Sequence, residues 1–501
     1  MIPSQSQIPS PVRRGTGAGA VETVIVGAGF AGIAAALALR AAGRDDFVIL
    51  ERAHAVGGTW RDNTYPGVAC DVPAPLYGLS THPWPGWSRA FAPGAEIREY
   101  LERVVRVEGL DQNLRLGTAL IDARWHDDRW QVATGEGVME ATHLVLACGR
   151  LTEPALPALP GLETFPGRAF HSARWDHDAP IDGARIAVVG TGASAVQLVP
   201  ELARRGAEVT LFQRTPAWIV PRGDHPYEET ERAAWAARPA ELSRLRHALY
   251  AEGEARYASR AGDAEAAREA RAAALSHLRA QVPDERLRTQ LTPDYAFGCK
   301  RVLLSDDFYP ALASGRVRLE PSALAGVERG TLVAASAARH EADVLVLATG
   351  FESARQPYAR LVTGEHGRTL DEHWAHGMTS VGSTLVHGFP NLFVLNGPNA
   401  SLGHNSAVLM MEEQAAFAAA LIAEDTTVRV SAQAEAAYTR EIDDRSAGTP
   451  WVAGGCRNWY TDPRSGRLTL LWPGTVSAFR ERLARVRSEL AADVPDPVLT
   501  S

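Results

Sequence analysis

A glycine-rich stretch near the amino terminus, residues 23–32, constrains this chain more than any other feature. It opens with an apolar run that predicts a buried parallel strand. Three glycines follow in G-x-G-x-x-G spacing, Gly27, Gly29 and Gly32, and a helix begins among them. Such glycines allow a tight turn, backbone approach to a pyrophosphate, and close packing of helix on strand. The next apolar strand ends in Glu51, an acid suited to a pair of ribose hydroxyls, so the stretch predicts a dinucleotide site.

The segment after this first motif also suits a dinucleotide. Gly58, Thr59 and Trp60 stand in the sequence GGTW, a glycine loop that can press against the rest of the ligand. A turn-rich segment, residues 65–80, then carries a single acid, Asp71. Taken alone, Asp71 is most simply a surface or turn aspartate.

A second fingerprint of the same kind begins at Gly190. Strand residues 186–189 lead into GTGASA, which has G-x-G-x-x-A spacing with Gly192 as its second glycine, and a helix follows. The next strand ends in Gln213 and Arg214, with no acid where the first motif has one. Although Arg214 taken alone can be an ordinary surface charge, an arginine here favours a 2′-phosphate, hence NADP over NAD. Two dinucleotide sites imply hydride transfer from NADPH to a flavin, so we expect FAD at the first site.

Composition excludes several other classes of protein. The net charge of −8 at pH 7 argues against a nucleic-acid binder. The four cysteines, Cys70, Cys148, Cys299 and Cys456, are far apart and form no C-x-x-C motif. This spacing argues against a zinc ribbon or a dithiol reductase, predicts no metal site, and fits a reducing compartment. With no apolar run of membrane-spanning length and no export signal, we expect a cytoplasmic protein.

Several local patterns predict the domain organisation of an α/β chain with two Rossmann-like domains. Residues 1–20 are rich in Pro, Ser, Gln and Gly and predict a disordered tail. We assign residues 21–160 to the first part of the FAD-binding domain and residues 161–340 to the NADPH-binding domain. Residues of about 225–290 predict a solvated helical insertion, because they are rich in Ala, Arg and Glu. Residues 341–501 are expected to return the chain to the FAD domain and to form a carboxyl-terminal cap.

Two further elements are expected in the FAD domain. Residues 124–133 predict a hairpin around Asp127 and Asp128. A long helix is predicted from about Asn405, with Asn405 or Ser406 as its N-cap. The positive end of that helix, aimed at the flavin, would stabilise the negative charge of the reduced ring.

A longer motif links the two fingerprints and identifies a family. Its pattern is F-x-G-x-x-x-H-x-x-x-W-[P/D], matched by Phe165, Gly167, His171, Trp175 and Asp176. It resembles the signature of Baeyer–Villiger monooxygenases, which are single-component FAD/NADPH monooxygenases. The resemblance extends to GGTW, YPG…CD, GTGASA, QRTPAW, GCKR, ATGF, GPN…GHNS and the LWPG tail, nearly the whole chain.

The resemblance implies roles for particular residues. Arg301 in GCKR and Asp71 would form the catalytic pair. Lys300 and Arg214 would hold the 2′-phosphate, with Thr215 nearby. The FAD-binding residues are predicted to be Gly27, Gly29, Gly32, Glu51, Gly58, Thr59, Trp60, Asp71, Asn399 and Asn405. The NADP-binding residues are predicted to be Gly190, Thr191, Gly192, Ala193, Ser194, Gln197, Arg214, Thr215 and Lys300.

The resemblance also implies a reaction. NADPH would reduce FAD, O₂ would add at flavin C4a, and the peroxide anion would attack a ketone to give an ester or lactone. A fixed guanidinium at Arg301 would stabilise that anion, and Asp71 would orient the guanidinium. A protonated peroxide would instead oxygenate a sulfide or an amine, which is the alternative activity. A flavin reductase and a non-enzymatic binding protein are further alternatives, disfavoured by the motif and by the lack of a redox cysteine pair.

Overall fold

The computed structural model describes residues 19–492, which form two large open sheets flanked by helices and two small sheets of two and three strands. The predicted tail, residues 1–20, lies almost entirely outside the described residues. The strands, in chain order, are β1 Val21–Val26, β2 Phe47–Glu51, β3 Leu114–Leu116, β4 Asp122–His126, β5 Arg129–Thr134, β6 Gly137–Leu146, β7 Arg168–His171, β8 Arg185–Val189, β9 Glu208–Phe212, β10 Ile219–Val220, β11 Leu303–Leu304, β12 Val317–Glu320, β13 Leu324–Glu328, β14 Thr331–Ala334, β15 Arg339–His340, β16 Val344–Leu347, β17 Val362–Thr363 and β18 Leu392–Val394.

The helices surround these sheets, and within residues 19–492 none is long and apolar enough to cross a membrane. They are α1 Phe30–Ala41, α2 Thr59–Asp62, α3 Ala74–Tyr77, α4 Gly94–Val107, α5 Ala193–Arg204, α6 Glu229–Ala237, α7 Pro239–Ala255, α8 Ala264–Gln281, α9 Glu285–Leu291, α10 Phe308–Ala313, α11 Leu370–His373, α12 Ala407–Ile422, α13 Ala432–Ser446, α14 Pro450–Ala453 and α15 Val476–Ala492.

The first sheet has the strand order β17-β4-β5-β6-β1-β2-β3, and β18 pairs with β6 as well. Strand β6 is long because it takes part in both antiparallel and parallel pairing. Its first half is antiparallel to β5, and its second half is parallel to β1 and β18. Strand β2 is buried at every residue, as expected of a parallel strand covered on both faces. Helix α1 covers one face of this sheet and packs against α12. Both helices contribute many residues to the hydrophobic core.

The hairpin and the N-cap predicted from sequence are present. Strands β4 and β5 are antiparallel, and Asp127 and Asp128 between them both have positive φ. These are turn conformations that aspartate tolerates better than most residues. Helix α12 begins after Ser406, whose hydroxyl accepts a hydrogen bond from the N–H of Val408, so Ser406 and not Asn405 is the N-cap.

The second sheet corrects one predicted boundary. Its order is β12-β9-β8-β16-β7, and all its pairings are parallel. Strand β16, predicted to return the chain to the first domain, lies instead between β8 and β7 in this second sheet. The predicted change of domain near residue 341 is therefore wrong, because the chain rejoins the first sheet only at β17 and β18. Sequence pattern alone does not distinguish these sheets, because both use buried Val/Leu strands.

The structure also corrects the interpretation of the cysteines. Cys299 and Cys456 form a disulfide across 157 residues, while Cys70 and Cys148 are free thiols. The pairing follows from tertiary structure, because the segment of residues 450–472, called the cap below, packs on the loop that carries Cys299. Spacing along the chain cannot reveal this contact. The lack of a C-x-x-C motif therefore did not exclude a disulfide, and the disulfide does not support the reducing compartment inferred from the spacing.

A single methyl group added in the first glycine turn should strongly lower the stability of the protein. A Cβ on Gly32 would lie 1.8 Å from the carbonyl oxygen of Gly27, whereas a Cβ on Gly135 would meet nothing within 4 Å. We expect Gly32→Ala to lower the free energy of unfolding by about 3 kcal/mol or more, because backbone must move to relieve the overlap. Gly135→Ala is the matched control and should leave the urea midpoint unchanged. Equal midpoints for both variants would contradict the close packing of α1 on β1.

Candidate active site

The first glycine turn leaves space that the protein itself does not fill. Gly27 has φ +111°, and a Cβ there would lie 2.4 Å from the carbonyl oxygen of Ala147, so the turn needs glycine for packing. Gly29 differs, because a Cβ there would make only an ordinary 3.7 Å contact, with the Cα of Gly58. Helix α1 begins after Gly29 without a side-chain cap, so free N–H groups face this space. The arrangement fits a pyrophosphate.

Glu51 lies beside this turn, at the end of β2. Its carboxylate is buried and accepts a 2.9 Å hydrogen bond from the N–H of Ala28. The other carboxylate oxygen forms a 2.9 Å ion pair with Arg61. Sequence reasoning did not single out Arg61, which balances the buried charge and fixes Glu51 at the edge of the turn.

The GGTW loop also packs on the first turn. Gly57 donates a 3.0 Å hydrogen bond to the carbonyl oxygen of Ala28, and α2 begins directly afterwards at Thr59. Trp60 packs edge-on against Tyr77 at 5.5 Å between ring centroids. The structure therefore brings Gly58, Thr59 and Trp60 to the same turn as Gly27 and Gly29.

The second glycine turn repeats the geometry of the first. Gly190 has φ +112°, and a Cβ there would lie 2.4 Å from the carbonyl oxygen of Ala348. A Cβ on Gly192 would meet no protein atom within 4 Å, and α5 begins after it, at Ala193 and Ser194, without a side-chain cap. Again the space in front of a helix N-terminus is open, as a second pyrophosphate requires. The Thr191 hydroxyl donates a 2.8 Å hydrogen bond to the carbonyl of Thr215, which ties the turn to the end of β9.

Two cations meet near this second turn. Arg214 is exposed just after β9, and Lys300 comes from the loop before β11, with its ammonium 4.9 Å from the centre of the Tyr295 ring. Burial lowers the pKa of Lys300, and the neighbouring charge of Arg214 lowers it further. The structure thus brings together two positive charges that were predicted from distant parts of the chain, and an anion between them would relieve their repulsion.

Gln197 has protein partners at both ends of its amide. Its nitrogen donates to the carbonyl of Ala69 at 2.9 Å, and its oxygen accepts from the hydroxyl of Tyr65 at 2.8 Å. Since Tyr65 and Ala69 belong to the first domain, Gln197 joins α5 to the segment that carries Asp71. It was predicted to hold NADP, and the structure gives it this linking role.

Asp71 and Arg301, predicted as a pair, form a close ion pair. Both the Nε and the Nη2 atoms of Arg301 lie 2.7 Å from Oδ2 of Asp71. The charge of Asp71 raises the pKa of Arg301 above its usual value, and outweighs burial, which acts in the opposite direction. The guanidinium is therefore a fixed positive charge. About a quarter of each side chain is exposed, so the pair is accessible.

Three residues around Arg301 were missed by sequence reasoning. Arg150 follows β6, is buried, and donates to the hydroxyl of Ser401. Burial lowers the pKa of Arg150 to about 10, as it does for Arg260. The third, Tyr460 in the cap, is buried in the field of Arg301, Arg150 and Arg260. No local sequence signal identifies this cluster, because its members come from a strand end, the insertion and the cap.

The helical insertion, predicted to be solvated, in fact contacts the first domain. Helix α7 passes so close to Asn405 that a Cβ on Gly253 would lie 2.4 Å from its Cγ. The amide nitrogen of Asn405 donates to Glu254, also on α7, at 3.1 Å. Burial raises the pKa of Glu254, but the nearby His404 ring, 3.8 Å away, and hydrogen bonds from the N–H groups of Val476 and Ser477 and from Asn405 outweigh it and lower the pKa to about 2. Helix α7 is therefore solvated on one face, as predicted, and packed against the first domain on the other.

Asn399, predicted to bind FAD, donates hydrogen bonds to the cap. Its amide nitrogen donates to the carbonyl oxygens of Leu468 and Leu471, at 2.8 and 2.9 Å. The residue is buried and has a positive φ of 50°. Asn399 and Asn405 therefore both have clear contacts within the protein, and direct contact of either with FAD stays a prediction.

The linking motif lies along the junction of the two domains. Phe165 packs in the core of the second domain, and a Cβ on Gly167 would lie 2.1 Å from the carbonyl oxygen of Asp343. His171 ends β7 and packs edge-on against Phe351, in the segment that leaves β16, at 5.6 Å. Burial lowers the pKa of His171 to about 4, so the ring is neutral at pH 7. These contacts fix where the chain crosses between sheets.

The last two residues of the motif brace its end. Trp175 packs edge-on against Phe170 at 5.1 Å. Asp176 accepts a 2.5 Å hydrogen bond from Arg168, at the start of β7. Neither residue is among the contacts of Asp71 and Arg301, and both contact residues of β7.

Comparisons with known proteins agree with this architecture. Residues 24–229 match the family model described as pyridine nucleotide-disulphide oxidoreductase. The OTEMO complex with FAD and NADP is similar in structure, with a TM-score of 0.83 and 26% identity, over 94% of this chain and 98% of that one.

Curated relatives match over nearly the whole chain. A Baeyer–Villiger monooxygenase of Streptomyces coelicolor is 42% identical, over 93% of this chain and 91% of its own length. One of Pseudomonas aeruginosa is 38% identical, over 92% of this chain and 89% of its own. The chain therefore belongs to the Baeyer–Villiger monooxygenase family.

Proposed function

We propose that the protein is an FAD-dependent, NADPH-consuming monooxygenase that converts a ketone into an ester or lactone. One atom of O₂ is inserted between the carbonyl carbon and a neighbouring carbon, and the other leaves as water. The observation that carries this proposal is the Asp71–Arg301 ion pair, formed by residues of the two dinucleotide-binding domains. The assay is the conversion of cyclic, linear and aryl ketones with NADPH, with the products identified by mass.

The residues of both glycine turns fit the two cofactors. At Gly29 and at Gly192 the protein leaves room where a side chain would otherwise fit, in front of an uncapped helix N-terminus. We assign FAD to the first turn, with Glu51 beside it, and NADPH to the second. When bound, FAD takes a hydride from NADPH and supplies the activated oxygen that reaches the ketone. The protein itself binds and orients the two cofactors and stabilises the negative charge that develops during the reaction.

Arg301 supplies the positive charge that this oxygen transfer requires. Attack on a ketone places negative charge on the former carbonyl oxygen, and a fixed cation beside that oxygen lowers the barrier. A guanidinium suits this task because it stays protonated at every working pH and presents several donors in a rigid plane. Asp71 engages the Nε and Nη2 atoms, which leaves Nη1 free of that contact and able to point at the reacting atoms.

NADPH is preferred to NADH because of two cations near the second turn. Arg214 and Lys300 lie close enough for the charge of one to lower the pKa of the other. A 2′-phosphate between them would pair with both. The absence of an acid after β9 removes the group that would recognise the ribose hydroxyl of NADH.

Substitutions in the two glycine turns should affect the two cofactors separately. In Gly29→Ala the new Cβ would occupy the space assigned to the FAD pyrophosphate, so the purified protein should lack flavin absorbance. Gly192→Ala should keep FAD but raise KM for NADPH, for the same steric reason at the second turn. Protein stability should change little in either variant, since the folded chain has room for both methyl groups. Full flavin content in Gly29→Ala would contradict the assignment of the first turn.

Arg214→Ala should discriminate between the two nicotinamide cofactors. Loss of a charge-assisted contact to the 2′-phosphate should cost about 1.5–3 kcal/mol, which corresponds to about 10- to 150-fold in KM for NADPH. KM for NADH should change far less, because NADH lacks that phosphate. Steady-state kinetics with both cofactors measure the difference, and an equal change in the two KM values would show that Arg214 does not contact the phosphate.

Arg301→Ala should uncouple the reaction. We expect the variant to bind FAD and to consume NADPH, but to release hydrogen peroxide with about 10²–10³-fold less ester per NADPH, because the charge beside the reacting oxygen is gone. Asp71→Ala should change the same ratio in the same direction but less, since Asp71 orients the charge.

The matched control is Arg482→Ala. Arg482 on α15 pairs with Glu441 on α13 at 2.9 Å, and its side chain is less exposed than that of Arg301, but the pair lies in the carboxyl-terminal helices. Its loss should leave the ratio of ester to NADPH unchanged. If Arg301→Ala also retains the wild-type ratio, the arginine is structural and the proposed role is wrong.

A further inference from the structure

The disulfide lies next to the proposed active-site arginine in sequence. Cys299 is followed directly by Lys300 and Arg301, and its sulfur is bonded to Cys456 in the cap. Cys299 is fully buried, whereas Cys456 is partly exposed. The bond therefore connects the loop that presents Arg301 to a segment 157 residues away.

This loop has little regular structure of its own. Between the end of α9 at Leu291 and the start of β11 at Leu303 the chain forms neither helix nor strand. One side of the loop is held to the second domain, where Trp218 donates a 3.1 Å hydrogen bond to the carbonyl of Tyr295. On the side of the cap, the N–H of Ala296 donates a 3.0 Å hydrogen bond to the carbonyl of Gly454.

The cap is fitted closely to Cys299. A Cβ on Gly454 would lie 2.8 Å from the Cβ of Cys299, so loop and cap are in direct contact here. Two residues after Cys456, the side-chain oxygen of Asn458 accepts hydrogen bonds from the N–H groups of Tyr460 and Thr461, at 2.9 and 3.1 Å. The disulfide thus fixes the separation between the loop of Arg301 and the turn that places Tyr460.

We propose that the Cys299–Cys456 disulfide is a positioning bond for Arg301, and that its reduction uncouples oxygen transfer from NADPH consumption. The proposal rests on the function proposed above. Asp71 fixes the end of the Arg301 side chain, but the backbone of its loop is held to the cap by the disulfide and, within residues 19–492, by one backbone hydrogen bond, from Ala296. Without the disulfide the loop can move away from the cap, and the guanidinium leaves the position in which it stabilises the reacting oxygen.

The redox step involves a dithiol reductant. A dithiol gives two electrons and two protons, the S–S bond breaks, both cysteines become thiols, and the reductant closes to its own disulfide. Reduction needs a thiolate to attack one sulfur, and partly exposed Cys456 is the more accessible of the two. The ratio of ester formed to NADPH consumed would then depend on the thiol redox state around the enzyme.

The experiment uses the FAD-loaded enzyme before and after treatment with dithiothreitol. Thiols are counted after denaturation, and ester formed, NADPH consumed and hydrogen peroxide released are measured together. The untreated enzyme should show two thiols and the treated one four. Reduction should lower the ratio of ester to NADPH by about fivefold or more, while FAD content and the rate of flavin reduction at saturating NADPH stay within about twofold. Reoxidation with oxidised glutathione should restore the ratio.

Cys299→Ser and Cys456→Ser should each show the low ratio without any treatment, and dithiothreitol should not change it further, which makes each variant its own control. An unchanged ratio in reduced enzyme, or four thiols in fully coupled native enzyme, would overturn the proposal. Loss of FAD in step with coupling would also overturn it, because the bond would then be merely structural. If the untreated, disulfide-bonded enzyme forms no ester from any ketone, the proposed function fails, whatever the redox result.

Discussion

The ion pair between Asp71 and Arg301 is the interaction on which the rest of the site depends. Asp71 belongs to the first domain and Arg301 to the loop before β11 of the second, so the pair exists only when both domains are folded and in contact. The pair also offsets part of the positive charge that collects around Arg301. Arg150 and Arg260 place two further positive charges nearby, and Asp71 is the carboxylate that contacts Arg301 directly. Removing Asp71 would leave three neighbouring guanidinium groups without that compensation, which is costly in a partly buried site.

Both domains solve the same steric problem in the same way. In each, the first glycine of the turn passes within contact distance of a carbonyl oxygen at the end of a neighbouring strand, Ala147 in one case and Ala348 in the other. The second glycine in each faces open space before an uncapped helix. A side chain on the first glycine would overlap backbone atoms, so replacing it requires the backbone to move, whereas most residues around the turn are under no such constraint. This explains why the two turns are recognisable although the surrounding sequences differ.

Sequence patterns predicted local elements well and long-range ones poorly. The glycine turns, the hairpin at Asp127 and Asp128, and the Ser406 cap depend on a few neighbouring residues, so periodicity and turn chemistry reveal them. Pairing of Asp71 with Arg301 came from family resemblance, since no spacing rule links residues 230 apart. The placement of β16, the disulfide, and the Tyr460 cluster were missed because each is decided by which elements meet in three dimensions. The amphipathic pattern of α7 is weak, and its contact with Asn405 needs only one small residue, Gly253.

The order of strands in the first sheet has a consequence for how the chain is made. Strand β6 is flanked by β18, which begins at Leu392, so the first sheet stays incomplete until most of the chain has left the ribosome. The second sheet needs only residues 168–347. The domain that starts later can therefore finish folding first during synthesis, while the second half of β6 waits with an open edge. A nascent chain of this protein carries the unpaired apolar edge of β6 for about 250 residues of elongation, a period in which that edge is open to aggregation.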